Sequence, residues 1–158
     1  MNTARGIEIR RMESMKGGMV EFFTAQASDE TMLVQIPPNT IDDLFVHKSQ
    51  TDQLLVVKGK FVLVSLVNKQ YQYIPLSEDH PVVVIIPPGV LHGAINLCSE
   101  TCVLVNAVLR HKPTQEGDYI PRPRPYPYDF ELAKAALDNL EATQRIKVCP
   151  EMNFGLKP

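Results

Sequence analysis

The chain is expected to be all-β, a barrel or sandwich of short strands followed by one C-terminal helix. Three observations carry that expectation. About ten apolar or alternating segments of strand length recur along the first two thirds of the chain, each bounded by Gly, Pro, Asn, Asp or Ser. Helical periodicity is nearly absent until the last thirty or so residues. The β-branched run Val82–Ile86 ends in Pro87-Pro88, which cannot donate to a central ladder, and Gly89 allows the reversal that must follow.

Taken in order, Gly6–Met12 alternates Ile7 and Ile9 with Glu8 and Arg10 and reads as a strand at a sheet edge. Lys16-Gly17-Gly18 is a turn into a second strand, Met19–Gln26. Ser28-Asp29-Glu30 leads into Thr31–Ile36, which Pro37-Pro38-Asn39 breaks. Ile41–His47 reads as a strand with a polar start. Leu54–Lys58 and Phe61–Leu66 flank Gly59 and carry a hairpin signal with Lys58-Gly59-Lys60 at the tip. Asn68-Lys69-Gln70 turns the chain into Tyr71–Leu76, and Ser77–Pro81 turns it into Val82–Ile86. Leu91–Leu97 and Cys102–Arg110 read as a further hairpin across Ser99-Glu100-Thr101.

After His111 the composition changes. Pro121, Pro123, Pro125 and Pro127 alternate with Arg122, Arg124, Tyr126 and Tyr128, which forces an extended path, a strap laid over the barrel or over a second subunit. Asp129 is placed to cap a helix that carries Leu132, Ala136, Leu137 and Leu140 on one face. The tail Cys149–Pro158 carries no signal. The expected organisation is one domain: a barrel over about 6–112, the strap over 113–128 and the helix over about 129–146.

Composition excludes several classes. A net charge of −2 gives no reason to expect nucleic acid or an anionic membrane as partner. No apolar run reaches the length of a membrane span. The stretch MNTARGIEIRRMES has no apolar core of a leader peptide. Three cysteines, an odd number, do not suggest a disulfide framework, so a cytoplasmic, reducing compartment is expected and Cys98 and Cys102 are read as free thiols. His80 and His111 lie in turn-like contexts and read as surface residues.

The chemistry concentrates around His92, three residues after Gly89 at the start of a strand, where its imidazole is directed inward at a barrel rim. Pro87, Gly89, His92 and Asn96 resemble the second motif of the cupin superfamily, Pro-x-Gly-x-x-His-x-x-x-Asn, although Pro81 stands where that motif usually begins with glycine. The resemblance implies a double-stranded β-helix, the jelly-roll barrel of the RmlC-like cupins, and a partner motif upstream. Anchored on Gly59, that first motif puts Asp52 in the glutamate place and His47 in the place of the second histidine. Phe45 takes the place of the first histidine and Asn39 that of the leading glycine. Two imidazoles and one carboxylate are a ligand set for a first-row divalent metal (Fe, Mn, Ni or Zn) that leaves positions open for substrate. Neutral imidazole and ionised carboxylate are both available at pH 7. The candidate metal ligands are therefore His47, Asp52 and His92, with Gln53 replacing Asp52 if the register slips by one. The alternative is a site without metal, in which His47 and His92 are the catalytic or pocket residues and Asp52 is a solvated turn residue.

Within the cupins, Leu54–Gly59, Ile86–Gly93, Leu97–Glu100 and Glu116-Gly117 resemble the dTDP-4-dehydrorhamnose 3,5-epimerase group. That resemblance implies a dimer that acts without metal, with His47 as the base next to a sugar ketone and His92 lining the pocket. The remaining machinery departs from the group's pattern: Leu44 replaces an arginine, Asp52 a lysine, and the place of the tyrosine acid falls on or near Val105. Loss of the acid removes half of a general acid–base pair, and loss of both cations removes the hold on a diphosphate. Two function classes follow. One is a metal-dependent or isomerase/epimerase-like enzyme acting on a small, sugar-like or carboxylated ligand. The other is a non-catalytic cupin that binds such a ligand for sensing or storage. A homodimer is expected in either case, with the N-terminal strand and the strap as contact surfaces.

Overall fold

The computed structural model describes residues 6–113 and 117–147. Glu116 and the tail Cys149–Pro158 lie outside the described residues. The strands are β1 (Glu8–Arg11), β2 (Ser14–Gly17), β3 (Val20–Phe23), β4 (Glu30–Ile36), β5 (Thr40–Ile41), β6 (Leu44–His47), β7 (Gln50–Lys58), β8 (Lys60–Val67), β9 (Gln70–Ser77), β10 (Val82–Ile86), β11 (His92–Asn96), β12 (Cys102–Arg110) and β13 (Tyr119–Arg122); α1 spans Phe130–Lys147. One antiparallel sheet has the order β1-β10-β7-β12-β4. The second has the order β13-β6-β11-β8-β9, with β5 also paired to β11, and β2 and β3 form a separate ribbon. From β6 to β12 the chain crosses from one sheet to the other at nearly every connection, the path of a jelly roll. No helix among the described residues is long and apolar enough to cross a membrane.

Two expected hairpins are corners between the sheets instead. β7 lies in the first sheet and β8 in the second, and β11 and β12 are likewise divided. A glycine between two apolar runs marks a reversal but does not say whether the runs share a ladder. Gly59 has φ +80°, and a Cβ there would lie 3.2 Å from both Thr101 O and Cys102 Cα, so the two corners press against each other. The tight two-residue hairpin is β8–β9, where Asn68 and Lys69 both adopt positive φ. The expected strand Met19–Gln26 is replaced by the β2–β3 ribbon, turning at Gly18-Met19. Ile41–His47 is split into β5 and β6, because Asp42 turns its N–H to Ala94 O at 3.0 Å before β6 begins.

The apolar filling follows from strand periodicity. Val56, Phe61, Leu76, Val84, Ile86 and Leu104 meet between the sheets. Each such side chain contributes roughly 1.5–3 kcal/mol on full burial. On the outer face of the second sheet, Leu44, Val62, Val64 and Ile95 pack against Tyr128, Ala133 and Leu137. The strap and helix therefore cover that face, and β13 adds an edge strand on β6, where a proline such as Pro121 is tolerated. Asp129 caps α1 as expected, its carboxylate accepting from Leu132 N at 3.0 Å. The expected face of α1 holds at Leu137, which is buried, and at Ala136 and Leu140, which are half-buried, but its first position is Ala133, fully buried, rather than Leu132, which is 56% exposed.

Asn96, the last position of the His92 motif, is a structural joint. Its amide donates to Ile36 O, Pro37 O and Glu100 O at 2.9–3.1 Å, and its carbonyl accepts from Cys98 N at 3.0 Å. It is completely buried. Asn96→Ala is expected to lower unfolding free energy by about 2 kcal/mol or more, through buried polar groups left without a partner. Urea melts with unchanged m-value measure this, and a loss under about 0.5 kcal/mol contradicts the role.

Candidate functional site

Alternation along the strands brings the polar groups to one place. Phe45 and His47 share the inward face of β6. Gln50, Asp52 and Leu54 share that of β7, His92 and Ala94 that of β11, and Leu104 and Asn106 that of β12. These faces line a cavity of about 560 Å³ between the sheets, within the usual range for small-ligand pockets. The turn after β10 does two things here. Gly89, at φ +83°, reverses the chain toward β11, and its N–H donates to His47 O at 2.8 Å. The backbones that carry the two histidines are thus tied together. In the ladder, His92 lies beside Phe45 on one side and Ser65 on the other.

His47, Asp52 and His92 converge. Asp52 Oδ2 lies 3.5 Å from His47 Nε2 and 3.4 Å from His92 Nε2. One ligand atom from each of the three lies within 4.8 Å of the others. The outer atoms of His92 and Asp52 are hydrogen-bonded elsewhere, and that of His47 faces a carboxylate. His92 Nδ1 is 2.9 Å from Val90 O, which selects the tautomer with Nε2 free. Asp52 Oδ1 accepts from Gln50 Nε2 at 2.5 Å and Asn106 Nδ2 at 2.9 Å. His47 Nδ1 faces Asp118 Oδ2 at 3.5 Å. That separation is too long for a hydrogen bond, and both atoms are buried without a hydrogen-bond partner. Ser65 Oγ and Arg110 Nε are in the same condition. Gln53, the alternative to Asp52, faces away and donates to Ala27 O and Ala107 O.

Burial sets the charge states, opposed in each case by neighbours. For His47 burial is the largest influence; it outweighs Asp52 and Asp118 and holds the imidazole below its ordinary 6.5. For Asp52 burial is also the largest single influence and raises the carboxyl. Contacts from His92, Asn106, Gln50 and His47 together outweigh it and keep the carboxyl below 3.8. Asp118 is held low first by the Ser49 hydroxyl, against burial. Its Oδ1 accepts from Ser49 Oγ at 2.6 Å and Ser49 N at 2.8 Å. Neutral imidazole beside ionised carboxylate is the protonation pattern a divalent cation requires, and the engaged outer atoms are those that orient ligands toward one.

Four residues around the three were not anticipated: Gln50, Asn106, Arg110 and Asp118. Arg110 donates to Gln50 Oε1 at 2.6 Å and Glu30 Oε2 at 2.7 Å and stands 3.9 Å from Asp118 Oδ2. Asn106, Arg110 and Asp118 acquire these partners across 54–80 residues of chain, so nothing local in the sequence marks them; Gln50 is two residues from Asp52 and on the same strand face. Phe45, in the place of the first motif-one histidine, packs its ring 4.2 Å from that of His92 and 5.0 Å from that of Tyr119. Val105 pairs with Leu33 and Leu55 and does not line the cavity, whereas its neighbours Leu104 and Asn106 do.

No protein-family model and no curated protein matches the sequence. Solved structures do match. A dTDP sugar isomerase from Desulfovibrio desulfuricans G20 superposes with a TM-score of 0.64 at 15% identity, over 83% of this chain and 94% of that one. A sugar 3,4-ketoisomerase from Thermoanaerobacterium thermosaccharolyticum, solved in complex with TDP, has a TM-score of 0.62 at 17% identity, over 90% and 98%. A dTDP-4-dehydrorhamnose 3,5-epimerase from Sulfolobus tokodaii has a TM-score of 0.63 at 16% identity, over 84% and 90%. The fold of this chain is the RmlC-like cupin jelly roll of these solved structures, with one C-terminal helix.

Proposed function

We propose that this chain is a metal-dependent enzyme of the isomerase/epimerase type, acting on a small, sugar-like or carboxylated ligand in the barrel. One observation carries the reading: His47, Asp52 and His92 each present a ligand atom to the same point, with Asp52 and His92 hydrogen-bonded at their other ends and His47 backed by the Asp118 carboxylate. A divalent ion (Fe, Mn, Ni or Zn) held by these three would supply Lewis-acid polarisation of a substrate oxygen. The protein's part is orientation. Gln50 and Asn106 fix the Asp52 carboxylate, Val90 O fixes the His92 tautomer, and Asp118 stands behind His47. Phe45 walls the side on which a fourth ligand would stand.

A second reading is favoured by the same Asp118–His47 pair. Without metal, a neutral His47 backed by a carboxylate is a competent general base, as the resemblance to the epimerase group implies. A third, ligand binding without catalysis, is favoured by the absence of a tyrosine at Val105. Elemental analysis of protein purified without added metal separates the first from the others. The expected result is about one divalent ion per chain, lost in the His47→Ala/His92→Ala variant. Metal-free protein that takes up no ion on dialysis leaves only the base or binding readings.

The charge state of His47 has its own test. Its folded pKa lies below 6.5, so unfolding takes up a proton as pH falls through the unfolded value, and the stability it contributes is complete above that value and lost on acidification. Asp52 and Asp118, both held below 3.8, contribute stability that is complete above that value, so they do not vary in this window. In EDTA-treated protein, the stability lost between about pH 7.5 and about pH 5.5 should shrink in His47→Gln. An unchanged slope contradicts a neutral, buried His47.

We also propose a homodimer that uses the free edge of β1 and the strap. Sedimentation as a monomer at micromolar concentration, where a stable dimer persists, rules it out.

A further inference from the structure

We propose that the ligand of this cavity is a small monocarboxylate with an apolar body, and that a polyhydroxylated sugar is a poor fit. The inference rests on the metal reading for where the head of the ligand is held and for its charge, while the apolar body rests on the lining alone. The strand registers divide the cavity along its length. Asn106 stands opposite Leu54 and Met32, and Leu104 opposite Val34. Ala94 stands opposite Leu63, while His92 stands opposite Ser65. The polar cavity-lining residues of β6, β7 and β11 therefore fall at one end with Arg110 of β12, and Asn106 stands at the boundary, level with Leu54 but bonded to Asp52. Ile36, Leu54, Phe61, Leu63 and Leu104 form the other end, continuous with the main core.

That second end offers almost nothing to a hydroxyl. Thr40 lines the cavity, but its hydroxyl donates to Pro37 O at 2.7 Å. Gln35 and Asp42 are exposed at the rim. A sugar ring placed with one oxygen at the His47–Asp52–His92 end would press its remaining hydroxyls against aliphatic side chains, each losing water without gaining a partner. A hydrocarbon ring or chain loses nothing there and gains by burial.

The charge balance selects the head. Two neutral imidazoles and one ionised carboxylate around a divalent ion leave one positive charge, which a single carboxylate neutralises. Arg110 is the only lysine or arginine among the described lining residues, and Glu30, Gln50 and Asp118 already surround it. A nucleoside diphosphate would meet no free cation in this cavity.

The test uses two ligands with the same head. Cyclohexanecarboxylate and glucuronate each carry one carboxylate on a six-membered ring, apolar in one and hydroxylated in the other. Calorimetric titration of the full-length protein with each, with Mn²⁺ present and after EDTA treatment, should give at least about tenfold tighter binding of cyclohexanecarboxylate. EDTA should weaken both ligands and leave their ratio. Equal affinity, preference for glucuronate, a ratio that collapses with EDTA, or no binding of either at about 10 mM overturns the inference. Its failure is separable from that of the metal reading. Preference for cyclohexanecarboxylate in protein that takes up no metal upholds the apolar body and removes the metal reading together with its argument for the head. Metal uptake with preference for glucuronate does the reverse.

Discussion

A buried carboxylate governs this structure. Taking an ionised carboxylate such as Asp52 out of water costs several kcal/mol unless its oxygens are engaged. Here Gln50 and Asn106 take one oxygen and two imidazoles face the other. Each of those partners needs support of its own. Arg110 donates to Gln50, Asn106 accepts from Gln53 N at 3.0 Å, and Asp118 sits behind His47. The resulting network joins both sheets through β6, β7, β11 and β12 and reaches the segment that leads into β13. A half-satisfied network of this kind is worse than an apolar core. The orphaned Nδ1 of His47 and Oδ2 of Asp118 mark where it remains incomplete.

The apolar half of the barrel makes the polar half possible. Strands with a two-residue repeat cannot change the character of an inward face except along their length. β7 therefore runs from Gln50 and Asp52 at one end to Leu54 and Val56 at the other, and antiparallel β12 runs from Cys102 and Leu104 to Asn106 in the matching sense. The core that holds the sheets together and the buried polar network are consecutive stretches of the same strands. A substitution at Leu54 or Leu104 would act on both.

Much of this could be read from local sequence. Val82–Ile86 and Cys102–Arg110 are strands with the expected bounds, and Asp129 is the expected cap, because alternation, proline and short polar side chains act over a few residues. His47, Asp52 and His92 were identifiable by motif spacing, and the fold brings them together. What was not legible depends on which strands become neighbours. Gly59 signals a reversal equally well for a hairpin or for a corner between sheets. Asn106, Arg110 and Asp118 are ordinary polar residues until β12 lies beside β7 and the Asp118 segment returns to the β6–β7 turn. The exposed β2–β3 ribbon shows the same limit, since its strands gain no packed face that periodicity could have announced.

The departures from the epimerase pattern are connected. With Asp52 where that group has lysine, the cavity carries a negative charge at its centre, which suits a cation and repels a diphosphate. Leu44, where that group has arginine, is buried among Val62, Val64 and Ile95 under the helix and strap, so restoring a cation there would place it in the outer core and not in the cavity. Phe45, in the place of the first motif-one histidine, is an aromatic wall between His92 and Tyr119. One change puts an acidic residue where the resemblance expects a cation, one puts an apolar side chain in the outer core, and one puts an aromatic ring beside His92. All three fall on β6 and β7 of the jelly roll, while Asn96 and the Gly89 turn hold the backbone around them.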